Sequence, residues 1–300
     1  RYAPRLLGED ATETELAAAT ICYGAGTGFL LAAVWFALPY MWVGLVWTAL
    51  ALLVSEAGRR TKEKALLVCG HGAALLAAVR LLAINLQYAP AIHGVSLRVV
   101  TVAIAAAMFY IGARRIQPAE FGNATEKDTG QAGKPVLLWL PAAYSWAGTA
   151  LLALMVWNEV TNAAVGLAWA LLALALVEVG RSLADRPLVA QGHTLLVLSF
   201  ARIFFADLNA DKMLGIVSAR LVTVALLAAI YYYTGYTAEE RTPKMRTALM
   251  WFGTTALLAM LRFELITEWV AVGWAVLTVA LYFAGRKLEL PMLNHQAYAV

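Results

Sequence analysis

Ten apolar runs follow one another along this chain, at 16 to 38, 41 to 58, 65 to 86, 95 to 115, 136 to 157, 163 to 180, 188 to 208, 216 to 236, 246 to 266 and 268 to 286. Each is close to the roughly 17 to 25 residues that an α-helix needs to cross about 30 Å of hydrocarbon. Lipid offers no partner to an open backbone N–H or C=O, so a spanning segment is either a helix or a strand of a closed barrel. Runs this long and this uniformly apolar do not match the short alternating strands of a barrel. The expectation is an all-α polytopic transmembrane helix bundle with at least ten spanning helices. An eleventh apolar segment begins near Pro291.

The runs repeat. Val43, Gly44, Leu45, Trp47, Glu56, Gly58, Arg59, Gly70, His71 and Arg80 return as Val165, Gly166, Leu167, Trp169, Glu178, Gly180, Arg181, Gly192, His193 and Arg202, always at an offset of 122. The match continues from Val95, Ser96, Arg98, Thr101 and Tyr110 to Val217, Ser218, Arg220, Thr223 and Tyr232. Trp169, Gly180 and Arg181 then match Trp274, Gly285 and Arg286 at an offset of 105. The unit is four helices, and an even number returns each copy to the same orientation. This predicts a first repeat over 1–121, a loop over 122–135, a second repeat over 136–243 and the start of a third over 244–300. The loop is polar and Gly-rich, without apolar period. Its Asn123-Ala124-Thr125 matches a glycosylation sequon, read as chance because the loop is predicted cytoplasmic.

Charge gives the orientation. Arg59, Arg60, Lys62, Lys64, Arg181, Arg186, Arg286 and Lys287 fall in the links after the second helix of each unit. Arg114, Arg115, Lys127, Lys134, Arg241, Lys244 and Arg246 fall in the links between units, and Arg1 and Arg5 precede the first run. These are 17 of the 23 Lys and Arg, all on one side of the ten-helix reading. The positive-inside bias places that side, with the N-terminus, in the cytoplasm. The same clustering argues against a nucleic-acid partner despite the net charge of +4, because a nucleic-acid surface needs its cations on one face. With 14% charged residues against about a quarter in soluble domains, the chain is built for lipid.

No cleavable signal peptide is evident, because Glu9, Asp10, Glu13 and Glu15 join Arg1 and Arg5 ahead of the first run. That run is expected to remain as a helix, with Thr12 and Glu15 spaced as a capping box. Cys22 and Cys69 both lie in apolar runs and indicate neither a disulfide framework nor a metal cluster. No metal-ligand, Ser-His-Asp or Walker spacing is present, so no cofactor is expected.

Two sets of polar residues stand out. Glu56 and His71 lie on either side of a short turn at similar depth, roughly 5 to 10 Å inside the membrane edge at 1.5 Å per residue, and Glu178 and His193 repeat them. Position by position the third copy has Phe283 and Tyr298, so both members change together. Ionisable residues within spans point to a proton relay or a lipid-headgroup site. The plainer reading is a buried contact fixing the helical hairpin, with Gly70 and Gly192 allowing close approach; duplication favours it. Arg80 and Arg98 flank the outer turn of the first copy, and Arg202 and Arg220 that of the second. They are candidate outer-leaflet contacts to phosphate or lipid. The alternative is that they pair with Glu159, Asp207, Glu264 or Glu268 on the same side, or anchor their helices.

Weaker signals are read structurally. Gly24-Ala25-Gly26-Thr27-Gly28 has no preceding strand and suits helix packing rather than a dinucleotide. Tyr40, Trp42, Trp157 and Trp269 fit interfacial belts, as do Tyr231, Tyr232 and Tyr233 near the inner side. Pro141 is the one proline well inside a run.

Tandem helices carrying W-x-L-x-A-L, E-x-G-R, G-H and a following lone Arg resemble the large bacterial multi-pass proteins grouped as a "predicted membrane protein" domain of unknown function. The likeness covers nearly the whole chain. It implies a bacterial inner-membrane location and a longer array of repeats. Three roles follow as expectations. The first is a non-enzymatic scaffold or partner-binding subunit handling lipid or envelope polymer, with membrane lipids and other membrane proteins as partners. The second is a proton-coupled secondary transporter or flippase running through Glu56, His71, Glu178 and His193. The third is a glycosyl transferase using a polyprenyl-phosphate donor and a base among Glu159, Asp207, Asp211, Glu264 and Glu268.

Overall fold

Apolar runs interrupted by Pro39, Lys62, Ala184, Ile266 and Glu289 fold as helices broken at short turns. A computed structural model describes residues 13–87, 91–92, 95–116, 139–205, 213–214, 217–238 and 243–300. Among these are eleven α-helices. The first five are α1 (Glu13–Ala37), α2 (Tyr40–Thr61), α3 (Lys64–Arg80, continued by a π turn over Leu81–Asn85), α4 (Leu97–Arg115) and α5 (Leu140–Glu159). Then come α6 (Val165–Ser182), α7 (Arg186–Phe205), α8 (Ala219–Thr237), α9 (Pro243–Glu264), α10 (Thr267–Lys287) and α11 (Pro291–Ala299). Two-residue antiparallel pairs precede α4 and α8: β1 (Ala91–Ile92) with β2 (Val95–Ser96), and β3 (Met213–Leu214) with β4 (Val217–Ser218).

Eight of these helices are long and apolar enough to cross a membrane. Their composition makes this an all-α, membrane-embedded multi-pass protein. Two others, α8 and α9, have spanning length at 19 and 22 residues but are less apolar. Four tyrosines and Arg220 dilute α8, while Lys244, Arg246, Arg262 and Glu264 charge the ends of α9.

The chain forms two compact units, residues 1–159 and 160–300. In the first, α2 packs along α3 and against α4, α4 packs along α5, and α1 lies against α3. In the second, α6 packs along α7 and against α8, α8 along α9, and α10 along α11. The cores are made of small and branched residues: Ala73, Ala77, Val102, Ala105 and Leu151 in one, Val165, Ala173, Leu196, Ile203 and Leu227 in the other. Small residues let helix backbones approach where lipid supplies no hydrophobic drive. Phe29, Phe36, Leu53, Val68 and Leu75 face outward in the first unit, as do Val276, Val279 and Phe283 in the second. Such a surface suits hydrocarbon, not water.

The turns after α2, α6 and α10 are alike. Lys62, Ala184 and Glu289 have φ of 60°, 53° and 55°. The next residue's N–H returns to a carbonyl five residues back: Glu63 to Gly58 at 2.9 Å, Asp185 to Gly180 at 2.7 Å and Leu290 to Gly285 at 2.9 Å. This is the Schellman pattern, which closes a helix with one left-handed residue. The accepting residue is glycine each time because the following helix crosses there; a Cβ on Gly58 would stand 2.8 Å from Leu67 N, and one on Gly180 2.9 Å from Val189 N.

Three expectations are corrected. Pro141 lies in the first turn of α5, where a missing N–H costs little, rather than deep in a span. Gly24, Gly26 and Gly28 are not at a helix crossing among the described residues, since a Cβ on any of them meets nothing there within 4 Å. Tyr231 is not a belt residue: it is fully buried, with its hydroxyl 2.7 Å from that of Ser199. The Thr12/Glu15 capping box, the 122–135 loop with its sequon, Asp207 and Asp211 lie outside the residues whose side chains are described.

Candidate functional site

Glu56 and His71 go to different partners. Glu56 sits one turn before Arg59 on α2, the spacing that brings side chains together on a helix. Its carboxylate accepts from Arg59 at 2.6 Å, Arg60 at 2.9 Å and Arg115 at 3.3 Å. Arg59 also donates to the Arg115 carbonyl, so the end of α2 is clasped to the end of α4. Glu178 accepts from Arg181 at 3.0 Å, and Arg181 donates to the Thr237 hydroxyl at 2.7 Å, joining α6 to α8 in the same manner.

His71 Nδ1 lies 2.8 Å from the Tyr144 hydroxyl, with the two rings edge-on. Tyr144 comes from α5 and reaches α3 because Gly112 of α4 leaves room; a Cβ there would stand 2.8 Å from the Tyr144 ring. A small crevice beside this pair, partly open to the outside, is lined by Arg59, Ser55, His71 and Tyr144. His193 is buried, but the position matching Tyr144 at the 105 offset is Leu249, also buried. The tyrosine of the His71–Tyr144 contact is therefore a leucine at the matching position of the second unit.

At the other end of α4, Arg98 Nε lies 3.4 Å from Glu159. Ser96 donates to the same carboxylate at 2.6 Å. Arg220 Nε lies 2.8 Å from Glu264, which also accepts from Ser218. Arg98 and Arg220 thus take the acid-paired alternative. Arg80 differs: it is 5% exposed, donates from Nη2 to the Tyr40 carbonyl at 3.0 Å, and has its guanidinium 4.0 Å from the Trp35 ring and 5.6 Å from that of Trp47. Arg202 donates to the Asn162 carbonyl at 3.1 Å and lies 5.9 Å from the Trp169 ring.

Several of these partners escape a reading by sequence. Tyr144 is not repeated, so the 122 and 105 offsets do not reveal it. Thr149 and Thr254, hydrogen-bonded to Tyr110 and Tyr232 at 2.7 Å each, do repeat at the 105 offset. Among the described residues no three His, Cys, Asp or Glu side chains converge as a metal site. Comparison with known protein families, with characterised proteins and with solved structures finds no match.

Proposed function

We propose that this chain is an integral protein of the bacterial inner membrane that crosses it at least ten times in parallel four-helix repeats. Its N-terminus is cytoplasmic, and it serves as a non-enzymatic scaffold or partner-binding subunit among lipids and other membrane proteins. Handling of lipid or envelope polymer fits the same surface. One observation carries the reading: Glu56, Glu159, Glu178 and Glu264 are each held by an arginine of the same unit, and three of these contacts tie one helix to another. A carboxylate committed to a guanidinium is a poor general base and a poor proton carrier. The charged residues serve architecture instead. Similar contacts occur in both units, which suits a repeated wall better than a single reaction centre.

A second reading rests on the His71–Tyr144 contact beside the small crevice, which resembles one step of a proton path. Proteoliposomes holding the intact chain and a pH-sensitive dye separate the two. The scaffold reading expects no proton flux above that of empty vesicles under an imposed pH gradient and membrane potential. Flux that disappears in His71→Ala and Tyr144→Phe while both variants stay folded overturns it.

A further inference from the structure

The geometry points to an anion site at Arg80, built to take the phosphate of a lipid headgroup where α2 begins. Arg98 has an acid in Glu159 within the first unit, as Arg220 has Glu264 within the second. Arg80 is 5% exposed, and its Nε and Nη1 have no acceptor among the described residues. Only its Nη2 is engaged, on the Tyr40 carbonyl at 3.0 Å. A guanidinium has five N–H donors and stays charged in proteins, so burial without an acid leaves both charge and hydrogen-bonding capacity for a ligand.

The surroundings suit an anion. Tyr40 opens α2, a helix of 22 residues that follows the turn at Pro39. The first N–H groups of a helix have no intrahelical acceptor and carry the positive end of its dipole. Arg80 reaches that helix start, so two independent positive features converge. Trp35 at 4.0 Å and Trp47 at 5.6 Å stack beside the guanidinium. Their rings hold it in place without supplying negative charge. Indoles are also side chains that settle at headgroup depth, and Arg is the cation whose planar fork suits phosphate oxygens. Arg202 reaches the Asn162 carbonyl 40 residues earlier, as Arg80 reaches Tyr40.

This inference rests on the reading of α1 to α3 as membrane spans. Its test is native mass spectrometry of the intact chain released from nanodiscs. The discs contain phosphatidylglycerol and a neutral galactosyl diacylglycerol of matched acyl chains. The expected result is retention of phosphatidylglycerol at least tenfold over the glycolipid, a preference lost in Arg80→Gln, weakened in Arg80→Lys and kept in Arg98→Gln. A second arm titrates inorganic phosphate into lipid-stripped protein and follows tryptophan emission. A saturable change there, without lipid preference, assigns the site to free phosphate and overturns the headgroup assignment. Equal retention of both lipids by the wild-type chain, with no response to phosphate, overturns the anion site outright, and this comparison needs no variant to fold. Failure of the chain to enter the discs refutes the membrane reading instead.

Discussion

The Tyr110 hydroxyl lies 2.7 Å from the Thr149 hydroxyl, tying α4 to α5, and Tyr232 and Thr254 tie α8 to α9 at the same distance. A glycine beneath each ring makes the contact possible. A Cβ on Gly148 would stand 3.2 Å from the Tyr110 ring, and one on Gly253 3.0 Å from that of Tyr232. Each threonine hydroxyl also donates to its own helix, at 3.3 Å to the Ser145 and Met250 carbonyls. Tyr110→Phe therefore leaves no orphaned group. It should lower stability by about 0.5 to 1.5 kcal/mol, the range for an interhelical hydrogen bond in a membrane protein. Thermal unfolding in detergent measures it, and a double-mutant cycle with Thr149→Val should recover most of the loss as coupling between the two. Additive losses would show that the hydroxyls do not interact.

Gly70 and Gly72 lie one residue apart from a common neighbour on α3 and should respond oppositely to alanine. A Cβ at Gly70 would land on the Ser55 hydroxyl and 2.8 Å from Ser55 N, whereas one at Gly72 meets nothing within 4 Å. The obstacle at Gly70 includes backbone, so a rotamer change in Ser55 does not relieve it. Gly70→Ala should destabilise by about 1 to 3 kcal/mol through overpacking. Gly72→Ala should stabilise by about 0.5 to 1 kcal/mol, because glycine is a poor residue in a helix interior. Gly192→Ala should follow Gly70→Ala, its Cβ falling 2.8 Å from the Ala173 carbonyl. Equal effects at positions 70 and 72 would refute the packing assigned to α2 and α3.

How far sequence alone reaches is clear from Glu56. The depth count puts Glu56 and His71 near the same end of neighbouring helices, and Arg59, the partner of Glu56, does line one crevice with His71. It does not foresee the outcome, because Arg59 and Arg60 sit one turn away on Glu56's own helix and a third cation, Arg115, arrives from α4. Local helical spacing and a long-range contact together decide the partner, and only the first is written in the sequence. Helices were legible because lipid permits few alternatives to a long apolar run. Pairings such as His71 with Tyr144 depend on which helix faces which, and Leu- and Ala-rich segments leave that open. The glycines of α1 illustrate the same limit: a small residue permits close approach, and at Gly24, Gly26 and Gly28 nothing among the described residues approaches.

The left-handed turn residues offer a gain rather than a loss. A non-glycine residue at positive φ costs roughly 1 kcal/mol, and Ala184 at φ 53° and Lys62 at φ 60° both bear it. Ala184→Gly removes the Cβ conflict at an exposed position, and the transition midpoint should rise by an amount equivalent to about 0.5 to 1 kcal/mol. Lys62→Gly should gain less, since a cation close to a helix C-terminus is itself favourable. Ala184→Val should cost at least as much as glycine gains, a β-branched residue being worse suited to this region. The ranking Gly over Ala over Val, read by differential scanning fluorimetry, is the check. A reversed order would mean that the turn after α6 is not left-handed in solution.

The ten-span reading makes a prediction about sidedness that is independent of stability. Lys62, Ala184, Lys244 and Glu289 are exposed at turns or helix starts, as are Thr161 and Glu268. Four spans separate Lys62 from Ala184, and four more separate Ala184 from Glu289, so single cysteines at all three should react from one face of the membrane. Lys244 and Glu268 bracket α9, whose charged ends make it less apolar than its neighbours. If α9 crosses, Lys244→Cys labels with the first group while Glu268→Cys and Thr161→Cys label from the opposite face. The experiment uses intact cells, a membrane-impermeant maleimide and a background in which Cys22 and Cys69 are replaced by serine. Positive-inside bias assigns the Lys62 group to the cytoplasm, so these sites should be protected until the cells are broken. Labelling of Lys244→Cys and Glu268→Cys from the same face would remove α9 from the spanning set and, with it, the four-helix period. Reaction of Lys62→Cys in intact cells would instead invert the whole arrangement and leave the helix count untouched.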